Sequence, residues 1–267
     1  MALPPILHED EFLIAFDKPS GMPGTAERGA AAGESLIEQV QAVHGRNVGA
    51  VHRLDPEASG VFLCAKSKQA MDIVSGQFQS KTAERLFLAL CVVLPKERCA
   101  FPFDVARDEL GRLPDSFPMD LGMDDDPVNK GFMQVFRRKG GKVCLSEFRT
   151  LERFRTLALV EGRLITGRHH QLRVHLAGAG APLLNDPYYG DPEEKLLLSG
   201  LKRGYKGRDD EKPLIRRLAL HASSLGFNHP GTREPVTITA PLPEDFEVAL
   251  KYLRKFSGPE RARRSRG

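Results

Sequence analysis

Apolar residues follow two rhythms along this chain. Leu13-Ile-Ala-Phe16, Val61-Phe-Leu-Cys-Ala65 and Leu86 to Val93 are short unbroken apolar runs bounded by polar or turn-forming residues, the pattern of buried strands. Ser35 followed three residues on by Glu38 forms a capping box, and Leu36, Val40 and Val43 then give one apolar face, which predicts a helix. Ser67 to Phe78 repeats the helical spacing through Ala70, Ile73, Val74 and Phe78. Phe132–Phe136, Cys144–Glu152 and Leu157–Glu161 read as strands of a meander. Gln171 to Ala179 reads as a helix closed by Gly178 or Gly180. Leu218–His221 and Val236–Ala240 are expected as final strands, and Glu244–Lys255 as a last helix. Residues 102–131 are acidic and rich in Pro and Gly, so they are expected as a long surface loop. Residues 186–216 are expected as a polar connection with a short helix at 193–202. Strands and helices mix without strict alternation, so the class is α+β.

The chain of 267 residues shows no repeat and no low-complexity linker, and one domain over residues 1–250 is expected. No apolar run approaches the roughly 20 residues of a membrane helix. The first residues lack the basic and apolar regions of a leader, so a cytoplasmic protein is expected. The four cysteines, Cys64, Cys91, Cys99 and Cys144, show no Cys-x-x-Cys spacing and read as reduced core residues. Charge is uneven: residues 251–267 hold seven Lys or Arg against one Glu, a net +6 within a chain total of +4, so the rest nets −2. That basic tail is expected to be disordered and suits phosphate contact.

Four segments combine polar groups with turns inside apolar surroundings. His52-Arg53-Leu54-Asp55-Pro56 places a carboxylate just before a buried strand, where it can act as nucleophile or base; an Asp that merely initiates a turn before Pro is the competing reading. In Gly167-Arg168-His169-His170-Gln171-Leu172-Arg173, the arginines suit an acid or a phosphate. His170 and His175 lie five apart and share no helix face well, and no metal is expected. Asp186-Pro187-Tyr188-Tyr189-Gly190 is a turn whose aromatics either pack or stack on bases, and His221 reads as a hydrogen-bonded core residue.

In this order, with Asp17-Lys18-Pro19-Ser20-Gly21 before them and Leu86-Phe87-Leu88-Ala89 between, these segments resemble the RluA-type family of RNA pseudouridine synthases over roughly residues 8–246. The resemblance implies a twisted, largely antiparallel mixed sheet flanked by helices around a central cleft. It implies conversion of uridine in structured RNA, rRNA or tRNA, to pseudouridine without a cofactor, by an enzyme expected to be a monomer. It gives catalytic parts to Asp55, to Arg173 as ion-pair partner of that aspartate, and to Phe87. It gives substrate contacts to His52, Arg53, Leu54, Arg168, His170, Gln171, Lys18 and Tyr189. The position matched by Phe87 usually carries Tyr, so the ring is kept and the hydroxyl lost. That change motivates one alternative, a catalytically impaired RNA-binding module with the same fold.

Overall fold

The computed structural model describes residues 3–26, 33–95, 98, 105, 107–109, 111–136 and 140–258. Eleven strands form one sheet among them. They are β1 (Ile6–Glu9), β2 (Leu13–Lys18), β3 (Gly49–Ala50), β4 (Ser59–Ala65), β5 (Glu84–Val92), β6 (Ser116–Asp125), β7 (Met133–Phe136), β8 (Lys142–Arg153), β9 (Leu157–Leu164), β10 (Leu220–Asn228) and β11 (Pro235–Thr239). The order is β1-β2-β4-β10-β5-β9-β8-β6-β7, with β3 added on β4 and β11 on β10. Every pairing is antiparallel except β4 with β10. Helices α1 (Leu36–His44), α2 (Lys68–Gln79), α3 (Gln171–Gly178), the short α4 (Leu198–Leu201) and α5 (Glu244–Phe256) complete the described elements.

Local chemistry accounts for these elements. The Ser35 hydroxyl accepts the Glu38 amide while the Glu38 carboxylate accepts the Ser35 amide, which starts α1. All seven residues of β4 are buried, as an unbroken apolar run requires. In β8, Cys144, Ser146, Phe148 and Thr150 alternate inward between more exposed neighbours. One core lies where Leu36 and Val40 of α1 and Leu172 and Leu176 of α3 meet Phe62 and Phe87. Another packs Ala70 and Val74 of α2 against Leu13, Leu63 and Leu225. On α5, Phe246, Ala249, Leu250 and Leu253 bury one stripe against Leu90, Leu157 and Leu159.

Three expectations change. The acidic stretch is not a loop throughout: Ser116–Asp125 pairs with β8, with Phe117 and Met119 buried between exposed Ser116, Pro118 and Asp120. Its alternation was hidden by its Pro, Gly and Asp content. Only Gly122–Asp125 also pairs with β7, so Pro118 sits on an edge segment, where a missing donor is tolerated. The helix expected at 193–202 forms only over Leu198–Leu201. The basic tail does not begin at 251: residues 251–256 continue α5, whose Leu253 is fully buried. The rest of that tail from residue 259 lies outside the described residues, as does Cys99.

Candidate active site

The loop of residues 51–58, between β3 and β4, carries Asp55 and is held from several sides. The His52 ring accepts the Leu63 amide at Nε2, 3.0 Å, which leaves Nδ1–H to donate to the Arg53 carbonyl, 3.2 Å. Burial pulls the His52 pKa down to about 4, so the ring is neutral and acts as a backbone clasp. Lys18 is fully buried, with its ammonium group on the carbonyls of Pro19 (2.9 Å), Met22 (2.7 Å) and Pro56 (3.0 Å). Burial, only partly opposed by Asp55 and Glu57, draws its pKa down to about 7. The Gly21 amide also donates to the Pro56 carbonyl, 2.8 Å. The first family motif is thereby a bracket for the residue next to Asp55. Beyond the loop, Gly60 lies against β10, and a Cβ there would stand 2.2 Å from the Ala222 carbonyl oxygen.

The opposite wall comes from β5 and from the turn entering α3. Gln171 organises that turn: its side-chain oxygen accepts from the Thr166 hydroxyl (2.8 Å) and the Arg168 amide (3.0 Å). Its amide group donates to the Leu145 carbonyl and the Ser146 hydroxyl, both 2.9 Å. His170 precedes the helix in the left-handed region, φ 52°, a conformation costly for a residue with a Cβ. Its Nδ1 lies 3.0 Å from the Tyr189 hydroxyl, which also accepts the Met133 amide at 2.8 Å.

Arg173, on α3, is fully buried, and its two-pronged pair is with Asp186 rather than Asp55. Nε and Nη2 donate to the two Asp186 carboxylate oxygens at 2.9 and 2.7 Å. The remaining nitrogen, Nη1, stands 3.5 Å from Asp55 Oδ2 and 3.7 Å from Glu57 Oε2. Burial alone would lower the pKa of Arg173; the Asp186 hydrogen bonds and charge, then Asp55 and Glu57, reverse this and raise it. Tyr188 lies under the guanidinium, 4.9 Å from the ring centre, and the Tyr188 amide donates to Asp186 at 2.9 Å. Asp186 therefore positions Arg173. The sequence marks it only as part of a turn.

These groups border a cleft of about 320 Å³. Asp55, Arg173, Phe87, His52, Arg53, Leu54, Arg168, His170 and Gln171 all line it, so nine of the eleven residues singled out from sequence meet there. Lys18 and Tyr189 do not: each supports a lining residue from behind. Asp55 is the one carboxylate in the lining among the described residues. Phe87, Val61, Leu54, Phe78, Leu164 and Leu220 supply apolar wall, while Arg53 and Arg168 are exposed at the rim. Arg85 also lines the cleft; its Nη2 donates to the Leu164 carbonyl at 3.1 Å, and its guanidinium lies 5.4 Å from the centre of the Phe78 ring. The sequence marks Arg85 only as the first residue of Arg85-Leu86-Phe87, where the family usually has Lys-x-Tyr, and gives it no part of its own. His170 and His175 point to different partners, as their spacing implies. His175 faces Ser146, Nδ1 to Oγ 3.0 Å, whereas His169 stacks on His170 with ring centres 3.8 Å apart. His221 is the buried, hydrogen-bonded core residue expected, 3.0 Å from the Ser59 hydroxyl. Among the described residues no helix is long and apolar enough to cross a membrane.

A family model described as RNA pseudouridylate synthase matches residues 12–178. The ribosomal large subunit pseudouridine synthase D of Xanthomonas campestris pv. campestris is 32% identical over 260 residues, covering 94% of this chain and 70% of that protein. The protein of the same name from Neisseria meningitidis serogroup B is 33% identical over 95% of this chain, which spans only 62% of it. Among solved structures, human RNA pseudouridylate synthase domain containing 4 superposes with a TM-score of 0.66 at 25% identity, covering 93% of this chain and 92% of that one. The matched segment runs from β2 through α3 and so takes in both walls of the cleft, Asp55 on one and Phe87 with Arg173 on the other; the chain belongs to the RNA pseudouridylate synthase family.

Proposed function

We propose that this isomerase acts on uridine in structured ribosomal RNA, with Asp55 as the carboxylate that works on a nucleotide flipped into the cleft. The observation that carries the assignment is the placement of Asp55: the one lining carboxylate among the described residues, largely enclosed, facing an arginine whose other two nitrogens are already fixed on Asp186. The ribosomal RNA assignment rests on the names of the relatives.

Chemically, the base must leave the helical stack before any side chain can reach its glycosidic bond. Breaking the N–C bond, rotating the uracil and joining its C5 to the sugar conserves all atoms, so no co-reactant enters the balance. Arg173 Nη1 stands 3.5 Å from Asp55 Oδ2, a distance that leaves both carboxylate oxygens with capacity for substrate. Phe87, on β5 in register with Gly162 and Ala222, offers a ring for the uracil to stack on but no hydroxyl. The C5 proton must therefore leave through water or Asp55. Arg53 and Arg168, exposed at the rim, suit the flanking phosphates. The non-catalytic alternative has no observation in its favour.

The test is a map of pseudouridines in ribosomal RNA from cells with and without the gene, beside purified Asp55→Asn. At least one site should vanish without the gene, and the variant should bind RNA but lose turnover. An unchanged map, or a fully active variant, overturns the reading.

A further inference from the structure

We propose that His169, His170 and Asp55 form a binding site for a borderline transition-metal cation of the Zn2+ class, and that its occupation inhibits the enzyme. The inhibitory half rests on the catalytic reading of Asp55; the binding half does not.

One ligand atom from each of the three residues can be chosen so that all lie within 4.8 Å of one another. Two imidazoles and one carboxylate are the donor set of a three-ligand zinc site with an open position for water, whereas hard cations such as Mg2+ call for oxygen-rich shells. Ligand atoms around one tetrahedral zinc stand about 3.3 Å apart, given metal–ligand distances of about 2.0–2.1 Å. His170 Nε2 is already 3.9 Å from Asp55 Oδ2, so small side-chain rotations close that edge.

The supporting shell has the form such sites need. A ligating histidine is oriented by what its other ring nitrogen donates to. His170 Nδ1 lies 3.0 Å from the Tyr189 hydroxyl oxygen, which can accept a second donor besides the Met133 amide. In that tautomer the Nε2 lone pair faces Asp55. The left-handed backbone of His170 brings its ring against that of His169, putting both imidazoles on the Asp55 side. Among the described residues Arg173 is the cation within 4 Å of Asp55 Oδ2, with Asp186 and Glu57 offsetting its charge, while Lys18 and Arg53 add positive charge further out. A metal held here takes the Asp55 lone pairs that the isomerisation needs.

The test is calorimetric titration of the full chain, freed of metal, with Zn2+, together with Co2+ as a spectroscopic probe. The expected result is a single site with a visible Co2+ absorption band typical of imidazole ligation. His169→Ala and Asp55→Asn should each weaken Zn2+ binding by at least about tenfold, the scale on which metal-site losses are felt. His44→Ala, at an exposed histidine on α1, should leave binding unchanged. In the rate assay, each variant is compared with its own uninhibited rate, and His169→Ala should need at least about tenfold more Zn2+ for half inhibition. No Zn2+ binding, or binding unaffected by both ligand variants, overturns the proposal. Zn2+ bound through these residues in a protein that makes no pseudouridine would instead leave the metal site standing and overturn the function. Active enzyme that binds Zn2+ here without losing rate overturns the inhibitory half alone.

Discussion

Asp186→Asn isolates the electrostatic bracket behind Asp55, the carboxylate proposed to be catalytic. The substitution keeps the shape of the side chain, and its oxygen can still accept the Tyr188 amide at 2.9 Å and the Tyr189 amide at 3.3 Å. It removes the charge, and it turns an NH2 group toward a guanidinium that has only donors to offer. Arg173 would then keep one neutral hydrogen bond, from Nη2 to that oxygen, lose the one from Nε, and as a fully buried cation have its nearest described carboxylates at 3.5 and 3.7 Å. Breaking one side of a buried ion pair costs about 3–5 kcal/mol. For a domain of this size, each kcal/mol moves the melting midpoint by about 2–4 °C, so a drop of roughly 6–20 °C is expected. Rate should fall as well, because Nη1 is aimed at Asp55 only while the other two nitrogens are anchored. Single-turnover release of tritium from RNA labelled at uracil C5 measures the step directly, since C5 loses that hydrogen when it bonds the sugar. The rate should drop by more than about tenfold, worth roughly 1.4 kcal/mol of barrier, with RNA affinity little changed. A midpoint within about 2 °C of wild type, or an unchanged single-turnover rate, would refute the bracket.

Lys18→Met keeps the length of the side chain and strips the carbonyls of Pro19, Met22 and Pro56 of a common donor. Single-turnover rate should fall more than RNA affinity; a selective loss of affinity would return Lys18 to the substrate-contact part expected from sequence. Gly60→Ala should destabilise by more than about 3 kcal/mol in denaturant titration, because a Cβ meets the Ala222 oxygen at 2.2 Å and φ is +110°; a cost below about 1 kcal/mol would show that β4 and β10 can part freely. Burial lowers the pKa of His175 and of His221 to about 4 each, against about 6.5 in the unfolded chain. Folded-state values below the unfolded one mean that this stability is complete above about pH 6.5 and is lost as pH falls toward 4, by about 3 kcal/mol per ring. His221→Asn should flatten the acid limb of a plot of unfolding free energy against pH, and an unchanged slope would sink the assignment.

Local patterning was enough to place β2, β4, β5, β8, β9 and four of the helices, because each follows from contiguous burial, from alternation, from an apolar helix face or from a cap within a few residues, as with Ser35 and Glu38. β6 escaped because its inward Phe117 and Met119 alternate with residues common in loops, and only β8 alongside reveals the register. The ordered motifs likewise identified Asp55, Phe87 and Arg173 as a set, since type and order are properties of the chain. Partnership is not such a property. Nothing in the sequence says that Arg173 gives its two-pronged face to Asp186, thirteen residues on, and only one nitrogen to Asp55, 118 residues before it. Nor does it say that Lys18 and Tyr189 stand behind the cleft, or that His169 rather than His175 joins His170 beside the carboxylate. Those outcomes depend on where the sheet sets a loop against the start of α3. Charge and hydrogen-bond geometry act over a few ångströms, and only the tertiary structure brings residues far apart in the chain within that reach.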